Sequence, residues 1–396
     1  MDELLDKTNL EFRERARHIA DTVVRPIAAQ LDRDSAYPWP VIDALRKDGL
    51  MGVWIPKEYG GLGAGILNLC IVVEELSKAC GGVGVAYAVN ALGSFPIIVG
   101  GTEEQKKKWL PSIATGETLV AFGLSEMKSG SDAGSLKTTA VRDGDEYVIN
   151  GDKKWNTNGG AASLYTIYCV TRQPGGPRCI SAILVEKDTP GFTIGKLEDK
   201  MGIRCVPVHE IHFKDCRVPA ENLLGEVENI GFKSAMMTLD RARPGVAAQA
   251  MGLASGALDL AVAWAREREQ FGQPISSFQG IQFMLADMAT QVEAARQLVY
   301  ATARLVDSGA TNVAKASAMC KLFASDVAMK VTTDAVQIFG GYGYIKDYPI
   351  EKYMRDAKIT QIYEGTNQIQ RLVIARHVIK EAAGPGGASR DSGSKA

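Results

Sequence analysis

One carboxylate near the C-terminus has neighbours that would suit acid–base chemistry. Glu364 lies between Tyr363 and Gly365, just before an apolar helical segment, and its closest basic neighbours along the chain are Lys358 and Arg371. Burial beside apolar groups raises the pKa of a carboxylate, and such a carboxylate can remove a proton from a weakly acidic carbon. Solvated glutamates in turns are common, so this pattern alone does not assign a base.

Other segments combine glycine with aromatic, hydroxyl or guanidinium side chains. They lie at 56–63, 122–126, 129–132, 155–159, 268–272 and 337–341. In this order, and together with 362–371, they resemble the signature motifs of the acyl-CoA dehydrogenases, in the short- and medium-chain branch of that family. The resemblance extends from Leu10 to Lys380 and therefore covers nearly the whole chain.

The resemblance implies an enzyme that desaturates an acyl-CoA thioester between Cα and Cβ. One hydrogen leaves as a proton and one as a hydride, which no side chain accepts but a flavin does, so FAD is the expected cofactor. Glu364 occupies the position of the base, and its N–H that of a donor to the thioester oxygen. A related branch has its base at the position of Ala242, which accepts no proton. No GxGxxG motif follows a strand, which argues against an NAD(P)-binding domain.

The resemblance also assigns ligand contacts residue by residue. The residues expected around the flavin ring are Phe122, Leu124, Ser125, Gly130, Ser131, Trp155 and Thr157. Those expected at the diphosphate and adenine of a flavin held by a neighbouring subunit are Arg268, Gln270, Phe271, Gln279, Gln337, Gly340 and Gly341, with Thr366 and Gln368 closing the site. The residues expected to contact the substrate are Ser131, Asp240, Arg243, Gly365 and Tyr87. Arg243 is the expected charged contact to coenzyme A, and Tyr87 belongs to the segment that lines the acyl pocket in this family.

The chain departs from the family pattern in three places, one of them a pair of adjacent residues. Met127 and Lys128 replace a proline and a small or polar residue, Asn156 replaces an aliphatic residue, and Ser125 replaces a threonine. Lys128 and Asn156 add hydrogen-bonding capacity near the expected ligands. Two interpretations stay open: a solvated lysine with an asparagine bound to a backbone carbonyl, or an altered acyl preference or flavin potential.

The elements that must position these residues change in character along the chain. Apolar residues from Leu10 to Leu31 recur at helical spacing, and Pro26 predicts a kink. Short β-branched and aromatic runs separated by turn residues follow from Thr118, which predicts a β-domain. After Gly231 the pattern predicts helices at 232–239, 246–267, 279–306, 313–339 and 367–380.

These patterns, together with the resemblance, predict an α+β fold with three parts. They are an all-α N-terminal domain at 1–117, a middle β-barrel or sandwich domain at 118–230, and a C-terminal four-helix bundle at 231–383. The Gly/Ser-rich stretch at 384–396 predicts a disordered tail.

Composition narrows the partners and the compartment. The net charge is −1 with both signs interspersed, which argues against nucleic acid. Glycines, Asn90 and Pro96 interrupt the uncharged stretch at 79–102, which favours a core helix over a membrane span. Scattered cysteines and histidines indicate no metal site, and the N-terminus has no secretory pattern, so we expect a cytoplasmic protein or a mature mitochondrial matrix protein.

Three functions remain open at this stage. The first is an acyl-CoA dehydrogenase that acts on a short, medium, branched or cyclic acyl group and passes electrons to an electron-transfer flavoprotein. The second is an enoyl-CoA reductase of the same fold working with that partner, and sequence does not separate the two. The third is a catalytically silent scaffold, which would be expected to lose Glu364, Arg268 or Trp155. By analogy with the family we expect a homotetramer.

Overall fold

Residues 4–171 and 179–383 are described by the structure, a computed structural model. The predicted tail at 384–396 and the turn residues at 174–177 lie outside these ranges. The described residues fall into a helical N-terminal region, a central sheet and a C-terminal set of long helices, as the sequence predicts.

The N-terminal helices pack around a continuous apolar core. Helix α1 begins after Asp6, whose side chain accepts from the Asn9 N–H in a capping box. A π-helical turn, Ala20–Val24, precedes α2, and Pro26 occupies the first turn of α2, where a missing N–H costs little. The helices are α1 (Lys7–Ile19), α2 (Arg25–Asp34), α3 (Trp39–Lys47), α4 (Gly65–Ala79), α5 (Gly81–Gly100) and α6 (Glu103–Ala114).

The middle region is one curled sheet. Its strands are β1 (Val120–Gly123), β2 (Thr139–Asp143), β3 (Glu146–Thr157), β4 (Leu164–Thr171), β5 (Cys179–Glu186), β6 (Phe192–Leu197) and β7 (Val208–Pro219). The strand order is β1-β4-β2-β3-β7-β6, and β5 pairs with the other edge of β4. β1 and β2 both run parallel to β4, while the remaining pairs are antiparallel. Every residue of β4 is buried, as expected for a strand with neighbours on both edges.

The C-terminal region is built from long helices joined by short connections. They are α7 (Gly231–Glu267), α8 (Gln279–Asp307), α9 (Ala314–Phe339), α10 (Ile350–Thr360) and α11 (Asn367–Ala382), and a small hairpin of β8 (Glu269–Gln270) and β9 (Gln273–Pro274) joins α7 to α8. The two helices predicted at 232–239 and 246–267 are one continuous helix that contains Pro244, so the predicted break is wrong. Packing of α7 against α4, α5 and α9 keeps the helix intact. Helix α10 was not predicted.

Two helices are unusually long and apolar. Gly81–Gly100 and Gly231–Glu267 are long and apolar enough to cross a membrane by length and composition, but most of each is buried inside the protein. Both helices pack against each other and against α4 at the centre of the fold. Burial in the core explains their composition.

Candidate active site

Glu364 lies in a left-handed turn between α10 and α11. Its φ is 50° and that of Gly365 is 92°, a conformation that is rare for a glutamate. The turn is closed by the Asn367 N–H, which donates to the Gln361 carbonyl at 3.0 Å. Thr366 caps α11 by accepting from the Ile369 N–H at 3.3 Å. Strained backbone of this kind persists only where surrounding contacts hold it, and it is concentrated at functional sites.

The Glu364 carboxylate has the electrostatics of a base. Its Oε2 is buried and accepts no hydrogen bond from the described residues. Burial raises the pKa of Glu364 to about 7, against the opposing effect of the Arg243 and Lys321 cations. A carboxylate with a pKa near neutrality is present in both protonation states at working pH, which suits proton abstraction. The Glu364 N–H donates to no described acceptor, so it is free for a ligand oxygen.

Arg243 and Asp240 form a pair on α7 close to this carboxylate. Arg243 is buried, its Nη1 lies 2.6 Å from Asp240 Oδ1, and its Nε has no hydrogen-bond partner among the described residues. Burial raises the pKa of Asp240, and the Arg243 charge opposes this. Arg243 is buried and its charge acts on Glu364. Its expected charged contact with coenzyme A stays a prediction.

The first group of expected flavin contacts converges at the ends of β1 and β3. The Lys154 N–H donates to the Ser125 carbonyl at 2.9 Å, which ties the loop after β1 to β3 beside Trp155. A register shift in the pairing of β3 with β7 falls between Lys153 and Asn156. Trp155 within this bulge has a φ of 63° and is 57% exposed. An exposed indole on strained backbone is an open aromatic surface for a ligand.

A buried ion pair holds this loop in place. Lys153 Nζ lies 2.7 Å from Glu126 Oε1 and also donates to the Leu124 carbonyl at 3.1 Å. The second Glu126 oxygen accepts from the Lys137 N–H at 2.6 Å. Burial would raise the pKa of Glu126, but the Lys153 charge and the backbone donors lower it below its usual value. The loop that contains Leu124 and Ser125 is therefore fixed by an ionised pair.

The second group converges in an open cavity of about 450 Å³. Trp264 and Phe339 stack in its wall with ring centroids 4.7 Å apart. The Arg268 guanidinium lies 5.2 Å from the Tyr342 ring centroid, and among the described residues it has no ion-pair partner. The expected contacts that line this cavity are Arg268, Gln270, Gly340 and Gly341.

Backbone at the cavity is open to close approach. A Cβ atom added to Gly340 or Gly341 would meet nothing within 4 Å, and Gly340 has a φ of 62°. The buried Trp264 Nε1 has no acceptor among the described residues. An unpaired guanidinium, a free indole donor and bare glycine backbone suit the diphosphate and adenine of a dinucleotide. These residues, with the exposed indole of Trp155, fit FAD.

The hairpin beside the cavity presents an unshielded aromatic ring. Phe271 and Gly272 form its two-residue loop, with φ values of 54° and 77°. Asn-Gly is the preferred pair for such a loop, so phenylalanine is an unfavourable choice for the turn itself. The Phe271 side chain is 95% exposed in the single chain. A phenylalanine that is unfavourable for the turn and exposed to water does not stabilise the single chain. We therefore infer that Phe271 contacts another molecule.

Other expected contacts are separated from these groups or turned to solvent. Tyr87 is fully buried, its hydroxyl donates to the Leu50 carbonyl at 2.8 Å, and its ring packs edge-on against Trp54. Its expected contact with the acyl group stays a prediction. Thr157 is half-buried. Beyond the two groups described above, the exposed members of the predicted set are Gly130, Ser131, Gln279, Gln337 and Gln368.

Two of the departures from the family pattern differ in their surroundings. Asn156 is fully buried and its Nδ2 donates to the His209 carbonyl at 3.0 Å, but its Oδ1 is buried without a partner among the described residues. Lys128 is exposed, and within the described ranges it makes no hydrogen bond or ion pair. Lys128 therefore fits a solvated lysine, while both interpretations stay open for Asn156.

Sequence reasoning missed the residues that support the Glu364 turn. Lys321 on α9 is fully buried and donates to the Gly365 carbonyl, and Gln370 on α11 donates to the carbonyls of Glu364 and Gly365. The available signal was the position of Lys321 among Ser317, Ala324 and Ala328, on the buried face of its helix. The described residues contain no group of three or more metal-binding side chains.

Three protein-family models match most of this chain. The acyl-CoA dehydrogenase N-terminal, middle and C-terminal domain families match residues 6–117, 121–216 and 229–379. The NADH-dependent acryloyl-CoA reductase of Anaerotignum propionicum is 48% identical over 96% of this chain and 96% of its own length.

Two solved structures cover 96% of this chain and 100% of their own. The structure of butyryl-CoA dehydrogenase from Megasphaera elsdenii has 45% identity and a TM-score of 0.92. A chain solved in work on the electron transferring flavoprotein of Acidaminococcus fermentans and flavin-based electron bifurcation has 50% identity and a TM-score of 0.93.

The chain belongs to the acyl-CoA dehydrogenase family, whose members are FAD-dependent oxidoreductases acting on CH–CH bonds. The predicted family, three-part fold, enzyme class and cofactor are confirmed. The individual site residues remain predictions that the geometry above supports to different degrees.

Proposed function

We propose that this enzyme desaturates a short acyl-CoA thioester, with Glu364 as the base that removes the α proton. The observation that carries the proposal is the buried, unbonded Oε2 of Glu364 on a left-handed turn, with its pKa raised to about 7. Bound FAD supplies the acceptor for the β hydrogen and its electron pair. The Glu364 N–H, which has no described acceptor, is the proposed protein donor to the thioester oxygen.

The remaining roles follow from the two groups of contacts. Trp155, Ser125 and Thr157 are proposed to face the isoalloxazine ring. Arg268 and Gln270, with the glycines at 340 and 341, are proposed to bind the diphosphate and adenine of a flavin in a neighbouring subunit. Support comes from the open cavity, the unpaired Arg268 and the exposed Phe271 hairpin, none of which the single chain explains.

The preference for a short acyl group rests on the comparisons. A butyryl-CoA dehydrogenase and an acryloyl-CoA reductase are both more than 40% identical over nearly the whole chain. Branched and cyclic groups are the alternatives. We also propose an electron-transfer flavoprotein as the redox partner and the cytoplasm as the compartment.

An anaerobic spectral titration tests the proposal. Purified protein is expected to be yellow and to lose its flavin absorbance on addition of butyryl-CoA, more completely than with isobutyryl-CoA, cyclohexanecarbonyl-CoA or octanoyl-CoA. A protein that binds FAD but is bleached by none of these would contradict the proposed reaction. Bleaching by octanoyl-CoA alone would contradict the proposed chain length.

A second function is favoured by one observation, the 48% identity to an acryloyl-CoA reductase. In that case the enzyme works in the reducing direction with a partner flavoprotein. The two functions are separated by the ratio of forward to reverse rates with butyryl-CoA and crotonyl-CoA, measured with the chain's own electron-transfer flavoprotein. A ratio that favours reduction would establish the second function.

A further inference from the structure

A lysine buried in the C-terminal helices contacts the turn that carries Glu364. Lys321 has no exposed surface, and its Nζ donates to the Gly365 carbonyl and to Asn367 Oδ1, both at 2.9 Å. A buried ammonium is costly unless it is paired and hydrogen-bonded, so a lysine on the core face of α9 is not a neutral choice. An alanine or methionine would fill the same position at less cost.

The bonds from Lys321 hold backbone that is unfavourable without them. A non-glycine residue in the left-handed conformation is strained and persists only where surrounding contacts hold it there. The Gly365 carbonyl accepts from Lys321 Nζ and from Gln370 Nε2, the latter at 2.9 Å. Two donors from two different helices therefore converge on the carbonyl directly after Glu364.

Asn367 extends this support to the rest of α9. Its Oδ1 accepts from Lys321, and its Nδ2 donates to Ser325 Oγ at 2.9 Å and to Asp326 Oδ1 at 2.7 Å. The same Asp326 Oδ1 accepts from Gln361 Nε2 at 2.7 Å, on the other side of the turn. Residues before and after Glu364 are thus attached to one helix.

The Lys321 charge also acts on the carboxylate. Burial lowers the pKa of Lys321 to about 8, and the charge of Glu364 opposes this. Conversely, Lys321 is one of two cations that hold the pKa of Glu364 down. The titratable and charged groups around the pair come from α7, α9, the turn and α11, and they are Asp240, Arg243, Asp326, Tyr363 and Arg371.

We propose that Lys321 is a positioning residue for catalysis: its ammonium fixes the Glu364 turn through the Gly365 carbonyl and favours the ionised form of the Glu364 carboxylate. The inference rests on the proposed role of Glu364. It differs from a purely structural role for Lys321, which would affect folding but leave the ionisation of the base unchanged.

Three variants and one control separate the two effects of Lys321. Lys321→Met removes the hydrogen bonds and the charge, Lys321→Gln keeps a donor without the charge, and Lys321→Arg keeps the charge. Lys330→Met is the matched control, because Lys330 is an exposed lysine on the same helix, paired with Asp334. Each is measured by FAD content, thermal unfolding and the pH dependence of flavin bleaching by butyryl-CoA.

The acid limb of the pH profile is the deciding measurement. In Lys321→Met and Lys321→Gln it is expected to move to higher pH by at least about one unit, because removal of a nearby cation raises the pKa of a carboxylate. Lys321→Met is also expected to lose on the order of 10²-fold in rate on the plateau, from misplacement of the base, while Lys321→Gln loses less. Lys321→Arg is expected to keep the wild-type limb, and Lys330→Met both limb and rate.

Results that would overturn the role of Lys321 differ from results that would contradict the proposed function. A wild-type acid limb in Lys321→Gln would overturn the inference, and this variant keeps it testable if Lys321→Met does not fold. A shifted limb in Lys321→Arg equal to that of Lys321→Gln would also overturn it, because charge would then have no role. Wild-type protein that no acyl-CoA bleaches would contradict the proposed function itself.

Discussion

At the scale of single residues, the chemistry depends on the burial of the Glu364 carboxylate, whose Oε2 has no hydrogen-bond partner among the described residues. Lys358 and Arg371, its basic neighbours in sequence, are not the cations that act on it. Those are Arg243 and Lys321, from α7 and α9. Sequence predicted the base because its motif is local, but it could not predict the cations, since they reach the site through tertiary packing.

Stability should depend on pH through the same residue. The pKa of Glu364 is raised from 4.5 to about 7, so folding favours the protonated form. The stabilisation of the folded state by protonated Glu364 is fully present below about pH 4.5 and is lost as pH rises through about 7. Glu364→Gln is therefore expected to gain melting temperature relative to wild type between about pH 5 and about pH 8.

The control for this prediction is a glutamate whose side chain is exposed. Glu117→Gln serves, because Glu117 is exposed. The melting temperature of Glu117→Gln is expected to differ from that of wild type by the same amount at about pH 5 and at about pH 8. If the Glu364→Gln difference were equally constant, the assigned burial of the carboxylate would be contradicted.

At the scale of elements, the loop after β1 is held by charge inside the protein. The side chains of Lys153 and Glu126 are 0% and 8% exposed, whereas Lys128 on the same loop is exposed. Short β-branched and aromatic runs separated by turn residues predicted the strands of this domain, and the motif predicted the loop. The ion pair was not predicted, because residues 27 apart in sequence show no local pattern that joins them.

Two lysines of this region should therefore respond differently to substitution. Lys153→Met leaves a buried carboxylate unpaired and is expected to cost about 3–5 kcal/mol in the free energy of unfolding, with weakened retention of FAD. Lys128→Ala is expected to change stability by less than about 0.5 kcal/mol and to leave flavin potential and acyl-CoA affinity unchanged. Denaturant unfolding, FAD content and a redox titration measure these effects.

Each half of this prediction has its own contradiction. A tenfold change in acyl-CoA affinity in Lys128→Ala, about 1.4 kcal/mol, would restore the functional interpretation of that lysine. A Lys153→Met protein as stable as Lys128→Ala would show that the buried pair does not hold the loop.

Helices were predicted well where their apolar period was clear and poorly where packing overrode a local signal. Pro244 predicts a break, yet α7 continues through it, because the surrounding helices bury this segment. Helix α10 is short, and its buried face includes the polar residues Lys352, Asp356 and Thr360, so only half of its buried residues are apolar. Tertiary contacts decide both cases.

At the scale of the whole molecule, the single chain leaves features that a neighbour would explain. The Phe271 side chain is 95% exposed, and Phe283, Leu372 and Ile379 are each more than half exposed. Arg268 faces an open cavity without an ion pair within the described ranges. The sequence motif predicted Arg268 and Phe271 as contacts, but the neighbouring subunit that they would serve is not readable from one chain.

Assembly and flavin retention should therefore be linked. Wild-type protein is expected to sediment as a tetramer with one FAD per subunit. Arg268→Ala is expected to lose about 1.5–3 kcal/mol of flavin affinity, the usual contribution of a hydrogen bond to a charged group. The control is Arg266→Ala, which changes an exposed arginine in the last turn of α7 and should retain FAD.

Sedimentation and FAD content could each contradict this prediction. A flavin-loaded monomer would exclude a neighbour's contribution to the site. Wild-type FAD content in Arg268→Ala after extensive dilution would remove Arg268 from the cofactor contacts.

The central claim, that Glu364 is the base, is tested most directly by the reductive half-reaction of Glu364→Gln. The variant is expected to bind FAD and butyryl-CoA as wild type does, with Glu117→Gln as a control of wild-type rate. Flavin bleaching by butyryl-CoA, followed by anaerobic stopped-flow absorbance, should slow by at least about 10²–10⁴-fold, because the proton has no other acceptor. A Glu364→Gln protein that is bleached at close to the wild-type rate would contradict the account.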